Sequence, residues 1–325
     1  MLKFQDNYNI QIENMEDFIL ISYVMIDELY QQYAPKEIKE RKNISKVKLS
    51  DSEIITISIC GELMGIDSEN AWYNFVKKNY LYLFPNLCCR SKFNRKRRNL
   101  LQVTELIRGK LFQFFNATTD DCYIVDSFPL EVCKFGRAHF CRSFRNDGAN
   151  YGKCPSKKAT YFGFKVHALI TLDGFITAFD ITPASTDDRE GLRDLMGEHY
   201  SLSVIGDKGY VGKQIHEDMA KQNVCLLALK RNNSKKQWSK PFRQMIFKSR
   251  RRIETVFSQL SEQLNAERVL AKTFRGLCTR LVNKILAYDL VLLINKLFYP
   301  QQSVTCIKHL IFWWELSFLL AQEVK

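Results

Sequence analysis

No apolar run in the sequence reaches the roughly 18 residues that a membrane-spanning helix needs. The richest stretch, Leu310 to Leu320, is shorter and is interrupted by Glu315. The first residues lack the pattern of a secretory signal peptide. The ten cysteines are scattered without a paired C-x2-C spacing, which argues against a structural zinc module. They are expected to be reduced thiols in a cytoplasmic protein. Histidine is scarce, with five in 325 residues, so a multi-histidine metal site is not expected. Acidic charge is also short: 35 Asp+Glu stand against 48 Lys+Arg, a net charge of +13. That excess suggests a polyanionic partner, nucleic acid before a membrane surface.

The charge that is present is clustered. Lys230 to Arg275 holds thirteen Lys/Arg and three acidic residues. Upstream, Arg90, Lys92, Arg95, Lys96, Arg97 and Arg98 form a second cluster. Each is either a solvated face or a set of phosphate contacts.

The first third has helical periodicity. Apolar residues recur at helical spacing through Met15–Tyr33, and Ser50 with Glu53 makes a capping box before a second apolar helix. Pro85-Asn86 is a turn, and Ser91 is placed to cap a basic helix from Lys92 to Phe115. This order suits either a helix-turn-helix DNA reader or an ordinary helical bundle with a basic face. A domain boundary is expected near Asn116 to Asp121, giving a helical region 1–118, a catalytic domain 119–300 and an unassigned tail 301–325.

Beyond the boundary the pattern changes. Cys122 to Val125 is a β-prone run ending at Asp126, and Lys134–Lys158 reads as a basic loop. Tyr161 to Thr171 alternates, and Asp173-Gly174 turns it back into a strand from Phe175 to Ile181. A helix at Asp187–Met196, a strand at Leu202–Ile205, a helix at Gly212–Gln222 and a strand at Val224–Leu229 follow. The spacing then predicts helices over Lys248–Leu264 and Leu281–Phe298. The fold class is α/β: an RNase H-like mixed sheet flanked by helices, after an all-helical N-terminal region.

Three carboxylates fall where such a sheet binds ligands. Asp126 and Asp207 each follow a strand, and Glu254 lies on the last core helix. Phosphodiester cleavage needs an activated oxygen nucleophile and a stabilised leaving oxygen, and two Mg2+ ions held by carboxylates supply both. Mn2+ is an expected substitute. Arg250 is four residues before Glu254 and shares its helical face, as a surface ion pair or a phosphate contact. Lys165 and His167 share one strand face, either as plain exposed residues or as phosphate contacts beside Asp126.

These residues resemble those of a bacterial insertion-sequence transposase of the DDE type, most like the insertion-sequence family numbered 982. The resemblance covers about Ile124 to Leu264. It rests on Ile124-Val125-Asp126-Ser127-Phe128-Pro129, Phe162-Gly163-Phe164-Lys165-Val166-His167, Leu172-Asp173-Gly174 and Thr182-Pro183-Ala184-Ser185. Gly206-Asp207-Lys208-Gly209-Tyr210 and Arg250-Arg251-Arg252-Ile253-Glu254-Thr255-Val256-Phe257 complete it. It implies binding of terminal inverted repeats, Mg2+-dependent cleavage and strand transfer, and a metal-binding triad of Asp126, Asp207 and Glu254. The expected course is that water attacks the transposon end and the freed 3′-OH then attacks target DNA. Lys165, His167, Lys208, Arg250, Arg95, Arg97 and Arg98 are the expected DNA contacts. The partners expected are transposon ends and target DNA, with no membrane, and a homo-oligomer assembled on DNA near the nucleoid. A related motif carries Lys seven residues after the Glu; here that position is Ser261, and Arg268 is the substitute candidate. A structure-selective nuclease or an inactive, transposase-derived DNA-binding protein would share the same acids and basic patches.

Overall fold

The computed structural model describes residues 11–115, 121–155, 157–197, 201–230, 234 and 237–310. They divide into two compact units, one of Met1–Ala117, Gln263–Asn265 and Arg275–Lys325, the other of Thr118–Glu262 and Ala266–Phe274. This differs from the expected ranges 119–300 and 301–325, because the long helix at Phe274–Phe298 goes almost entirely with the helical unit.

In the helical unit, α1 spans Met15–Tyr33, α2 Lys36–Lys39, α3 Asp51–Leu63, α4 Glu69–Asn79, α5 Arg90–Asn99 and α6 Leu101–Phe114. The α1 range is the one that the apolar spacing predicts. The capping box forms: Ser50 Oγ accepts from the Glu53 amide at 3.1 Å, and Glu53 accepts from the Ser50 amide at 2.5 Å. One long basic helix was expected from Lys92 to Phe115, capped by Ser91. Instead Cys89 precedes α5, and Leu100, at φ −83° and ψ 2°, separates α5 from α6. The last long helix of the chain, Phe274–Phe298, is buried all round from Thr279 to Asn295. Its buried cations Arg280 and Lys284 are paired: Glu62 of α3 lies 2.9 Å from Arg280 and 2.6 Å from Lys284, and Asp67 lies 3.7 and 3.8 Å from them. A helix with polar groups on a fully covered face needs such partners. Residues 311–325, including Trp313, Trp314 and Phe318, lie outside the described residues.

The other unit is built on a mixed sheet. β1 (Cys122–Glu131) is central, and β3 (Ala159–Thr171) pairs antiparallel with it. β5 (Ser203–Gly206) lies parallel on the other side of β1, followed by the parallel β6 (Cys225–Ala228). β2 (Asn150–Cys154) and β4 (Ile176–Pro183) both pair with the outer edge of β3, in tandem. The order is therefore β2/β4, β3, β1, β5, β6.

Three helices complete the unit: α7 (Asp188–Met196), α8 (Lys213–Lys221) and α9 (Lys240–Glu262), with the chain then leaving into α10 (Phe274–Phe298). Strand alternation separates the two sheet faces. Val125, Leu169, Val204 and Leu226 point one way, into a core with Leu192, Leu195 and Met196 of α7 and Ile215 and Met219 of α8. Phe128 points the other way, against Phe257 of α9, ring centroids 4.9 Å apart and edge to face. Asp126 shares the parity of Phe128, so it sits on the α9 face.

Three sequence expectations change here. β1 does not end at Asp126 but runs on to Glu131, pairing Ser127, Phe128 and Pro129 with His167, Val166 and Lys165. Beyond Ile124 no β5 pairing is made, so Pro129 lies where a missing amide is tolerated. The basic stretch Lys134–Lys158 contains β2, a strand with main-chain pairing but little apolar alternation. Helix α9 starts eight residues before the expected Lys248, with Pro241 in its first turn, where proline is compatible with a helix.

Candidate active site

Asp126 and Asp207 are brought together by register. In the parallel β1–β5 pair Ile124 is opposite Ile205. Two residues on from that pair stand Asp126, within β1, and Asp207, just past the end of β5, and the Asp207 charge acts on Asp126. Asp207 caps a short 3-10 turn, Lys208–Tyr210, its carboxylate accepting from the Gly209 amide at 2.6 Å. The Gly206 position admits no side chain: a Cβ there would come within 2.9 Å of the Tyr210 ring. Close packing of Tyr210 beneath the turn thus fixes where Asp207 stands.

Asp126 accepts from the Ser127 amide at 2.8 Å and from the Arg250 guanidinium at 3.2 Å. A quarter of its side chain remains exposed (25%). Burial pushes its carboxyl up to about 6, against the Ser127 amide and Arg250, and the neighbouring Asp207 and Asp188 push the same way. Negative charge is therefore crowded around Asp126. Tyr210 adds a fully buried hydroxyl that has no hydrogen-bond partner.

Glu254 stands one turn beyond Arg250 on α9, its side chain 62% exposed, 3.9 Å from the same guanidinium. Arg250 thus links two of the three expected acids. Among the described residues no three or more His, Cys, Asp or Glu converge as a metal-binding group. Asp126 and Asp207 offer the carboxylate oxygens that a hard divalent cation takes. Glu254 does not close on them in this arrangement, in which the Arg250 guanidinium is the counter-charge of Asp126.

The other expected contacts fall unevenly. Lys208 is exposed beside Asp207. Lys165 and His167 do not share the Asp126 face, because Asp126 pairs with Ala168, and alternation turns Lys165 and His167 toward α7. His167 is fully buried and cannot touch a phosphate as expected. Its Nε2 pairs with Thr182 Oγ1 at 3.0 Å, and Gly191 of α7 packs on its ring. Lys165 donates to the Thr186 carbonyl at 2.7 Å and to Asp188 at 3.2 Å. In the helical unit Arg95 is exposed and Arg98 is half-buried. Arg97 is instead largely buried and ion-paired to Glu69 at 2.8 Å, which removes it from the expected DNA contacts. Arg268 pairs with Glu131 at 3.4 Å.

Asp188 was missed. It opens α7, accepts from Ser127 Oγ at 2.9 Å as well as from Lys165, and acts electrostatically on Asp126. Within Asp187-Asp188 the sequence signals a helix start, which Asp187 provides as the cap. Only the fold separates the capping acid from the one that turns toward the strand ends.

Residues 116–271 match the family described as Transposase DDE domain. Asp126, Asp207 and Glu254 all lie inside the matched segment, as does Asp188. No curated protein matches the chain. A piggyBac transposase, solved by cryo-EM as a synaptic complex with hairpin DNA, is similar in structure at 9% sequence identity. Its TM-score is 0.46, over 91% of this chain and 79% of that one. No helix among the described residues is long and apolar enough to cross a membrane.

Proposed function

We propose that the chain is a DDE transposase that cuts DNA at the ends of a mobile element and joins them to a target. The observation that carries this reading is the nearness of Asp126, on central β1, to Asp207, just past the end of its parallel neighbour β5, within the segment that matches the transposase DDE domain. The strand order, with β1 central and flanked by an antiparallel and a parallel neighbour, is read as an RNase H-like sheet.

In this reading Asp126, Asp207 and Glu254 would hold Mg2+, Glu254 from its place one turn beyond Arg250 on α9. Bound Mg2+ eases formation of the attacking oxygen nucleophile and departure of the leaving oxygen. With the acids holding the metal, the Arg250 guanidinium would be free for a phosphate, for which its planar fork is suited. Lys208, exposed beside Asp207, orients the scissile strand. Asp188, held by Ser127 and Lys165, keeps the negative field at the strand ends. The reaction is phosphoryl transfer, so positioning and electrostatics are the protein's main contribution. Terminal inverted repeats and target DNA are the substrates, and assembly of copies on DNA is part of the proposal.

Strand joining separates this reading from a nuclease. A pre-cut element end with a free 3′-OH is incubated with plasmid and Mg2+. A transposase yields covalent joining of that end to the plasmid. Cleavage of the uncut end without any joining would replace the proposal with a nuclease. Binding of the end with neither reaction would replace it with an inactive DNA-binding descendant.

A further inference from the structure

Between β1 and β2 the chain leaves the sheet as a short 3-10 segment, Phe135–Phe140, and a following turn. This excursion is pinned from below. Phe144 is buried, edge to face with Phe164 at 6.3 Å, and Ala138 is buried too. Arg145 donates to the carbonyls of Cys141, Ala138 and His139 at 2.6, 3.0 and 3.1 Å, and lies over the Phe162 ring at 5.4 Å.

On this fixed base three rings face solvent: Phe140 is 81% exposed, Phe135 54% and Tyr151 47%. Phe135 and Tyr151 meet edge to face at 6.0 Å, and Phe140 meets His139 at 5.2 Å. Lys134, Arg137, Arg142 and Lys153, near them in sequence, are exposed, and Asp147 is the one acidic residue from 134 to 153. Apolar rings set among cations do not suit an apolar protein partner, whose contact core excludes charge. They suit a polyanion whose flat rings are unstacked. Unpaired bases stack on aromatic side chains while cations follow the phosphates. A duplex keeps its base faces covered and offers the rings nothing. The segment also follows directly on the strand that carries Asp126. Glu131, where β1 ends, is five residues past Asp126, ~16 Å along a strand. A DNA strand spans that in ~5 phosphates.

We propose that Phe135, Phe140 and Tyr151, with Lys134, Arg137 and Arg142, form a platform that stacks unpaired bases of a DNA strand beside the cleavage site. The proposal rests on the DNA reading above and deepens it by naming single-stranded DNA as the ligand of this surface. The test uses the full chain in EDTA, so binding is read without cleavage. Affinities for a labelled twelve-residue oligothymidylate and for a duplex of equal length are measured by fluorescence anisotropy. The double substitution Phe135→Ala with Phe140→Ala is expected to weaken single-strand binding by about tenfold and leave the duplex within about twofold. Phe140→Trp is expected to retain binding, with its indole emission quenched by the oligothymidylate. Unchanged single-strand affinity in the double variant overturns the proposal. So does the same unchanged affinity accompanied by a shift in sedimentation, which would assign the rings to contact between copies of this chain. A wild type that cleaves element ends but does not bind the oligothymidylate defeats this inference alone. One that binds it but neither cleaves nor joins defeats the catalytic reading alone.

Discussion

The Arg250 guanidinium lies 3.2 Å from the Asp126 carboxylate, on the face of β1 that α9 covers. A carboxylate placed among acids in the middle of β1 is held by a cation from the neighbouring helix. That cation is four residues from Glu254, the acid proposed to complete the site.

The Asp126 charge works against the fold. Its carboxyl is pushed up to about 6, above the ~3.9 of an unfolded chain, so the folded state binds the proton more tightly. This contribution is fully favourable below the unfolded value and is lost as pH rises through about 6. In EDTA, Asp126→Asn is therefore expected to stabilise the protein at pH 7.5 by about 1–2 kcal/mol, and by less at pH 4.5. Urea unfolding of both proteins at the two pH values checks it. A variant less stable than wild type at pH 7.5 would mean that the Arg250 pairing outweighs burial.

Asp188 raises the Asp126 carboxyl by its charge. Asp188→Asn is expected to move the Asp126 titration downward in metal-free protein, followed by carboxyl carbon NMR. It is also expected to slow DNA cleavage by about tenfold, the scale of losing a group that orients a metal site. A slower reaction with an unmoved titration would make Asp188 only a brace for Ser127 and Lys165.

Gly191 lets α7 lie on the His167 ring. A Cβ at that position would stand 2.4 Å from the imidazole. Gly191→Ala is expected to cost about 1–3 kcal/mol in urea unfolding, despite alanine's better helix propensity. A gain in stability would show that α7 and β3 can move apart freely.

Much of this was legible in the sequence because local chemistry agreed with the fold. Met15–Tyr33 has helical spacing, Ser50 and Glu53 cap each other, and the Asp173-Gly174 turn joins two antiparallel strands. Asp126 and Asp207 stood out in the sequence because apolar runs lead into them. What failed depends on contacts far apart in sequence. The side to which Lys165 and His167 turn is set by pairing with β1 and by α7. The strand β2 exists through its pairing with β3. Arg97 looked like one cation in a basic run, yet Glu69 takes it inward. Asp188 read as a helix start because nothing in its neighbourhood points to Ser127, 61 residues away.

The most direct measurement is Mg2+-dependent cleavage of a duplex carrying the element's own end, by wild type and by Asp207→Asn. The account predicts cutting at the end of the repeat by wild type, at least about a hundredfold slower cutting by the variant, and unchanged affinity for the duplex. Equal cutting by both proteins would contradict it and remove Asp207 from the chemistry.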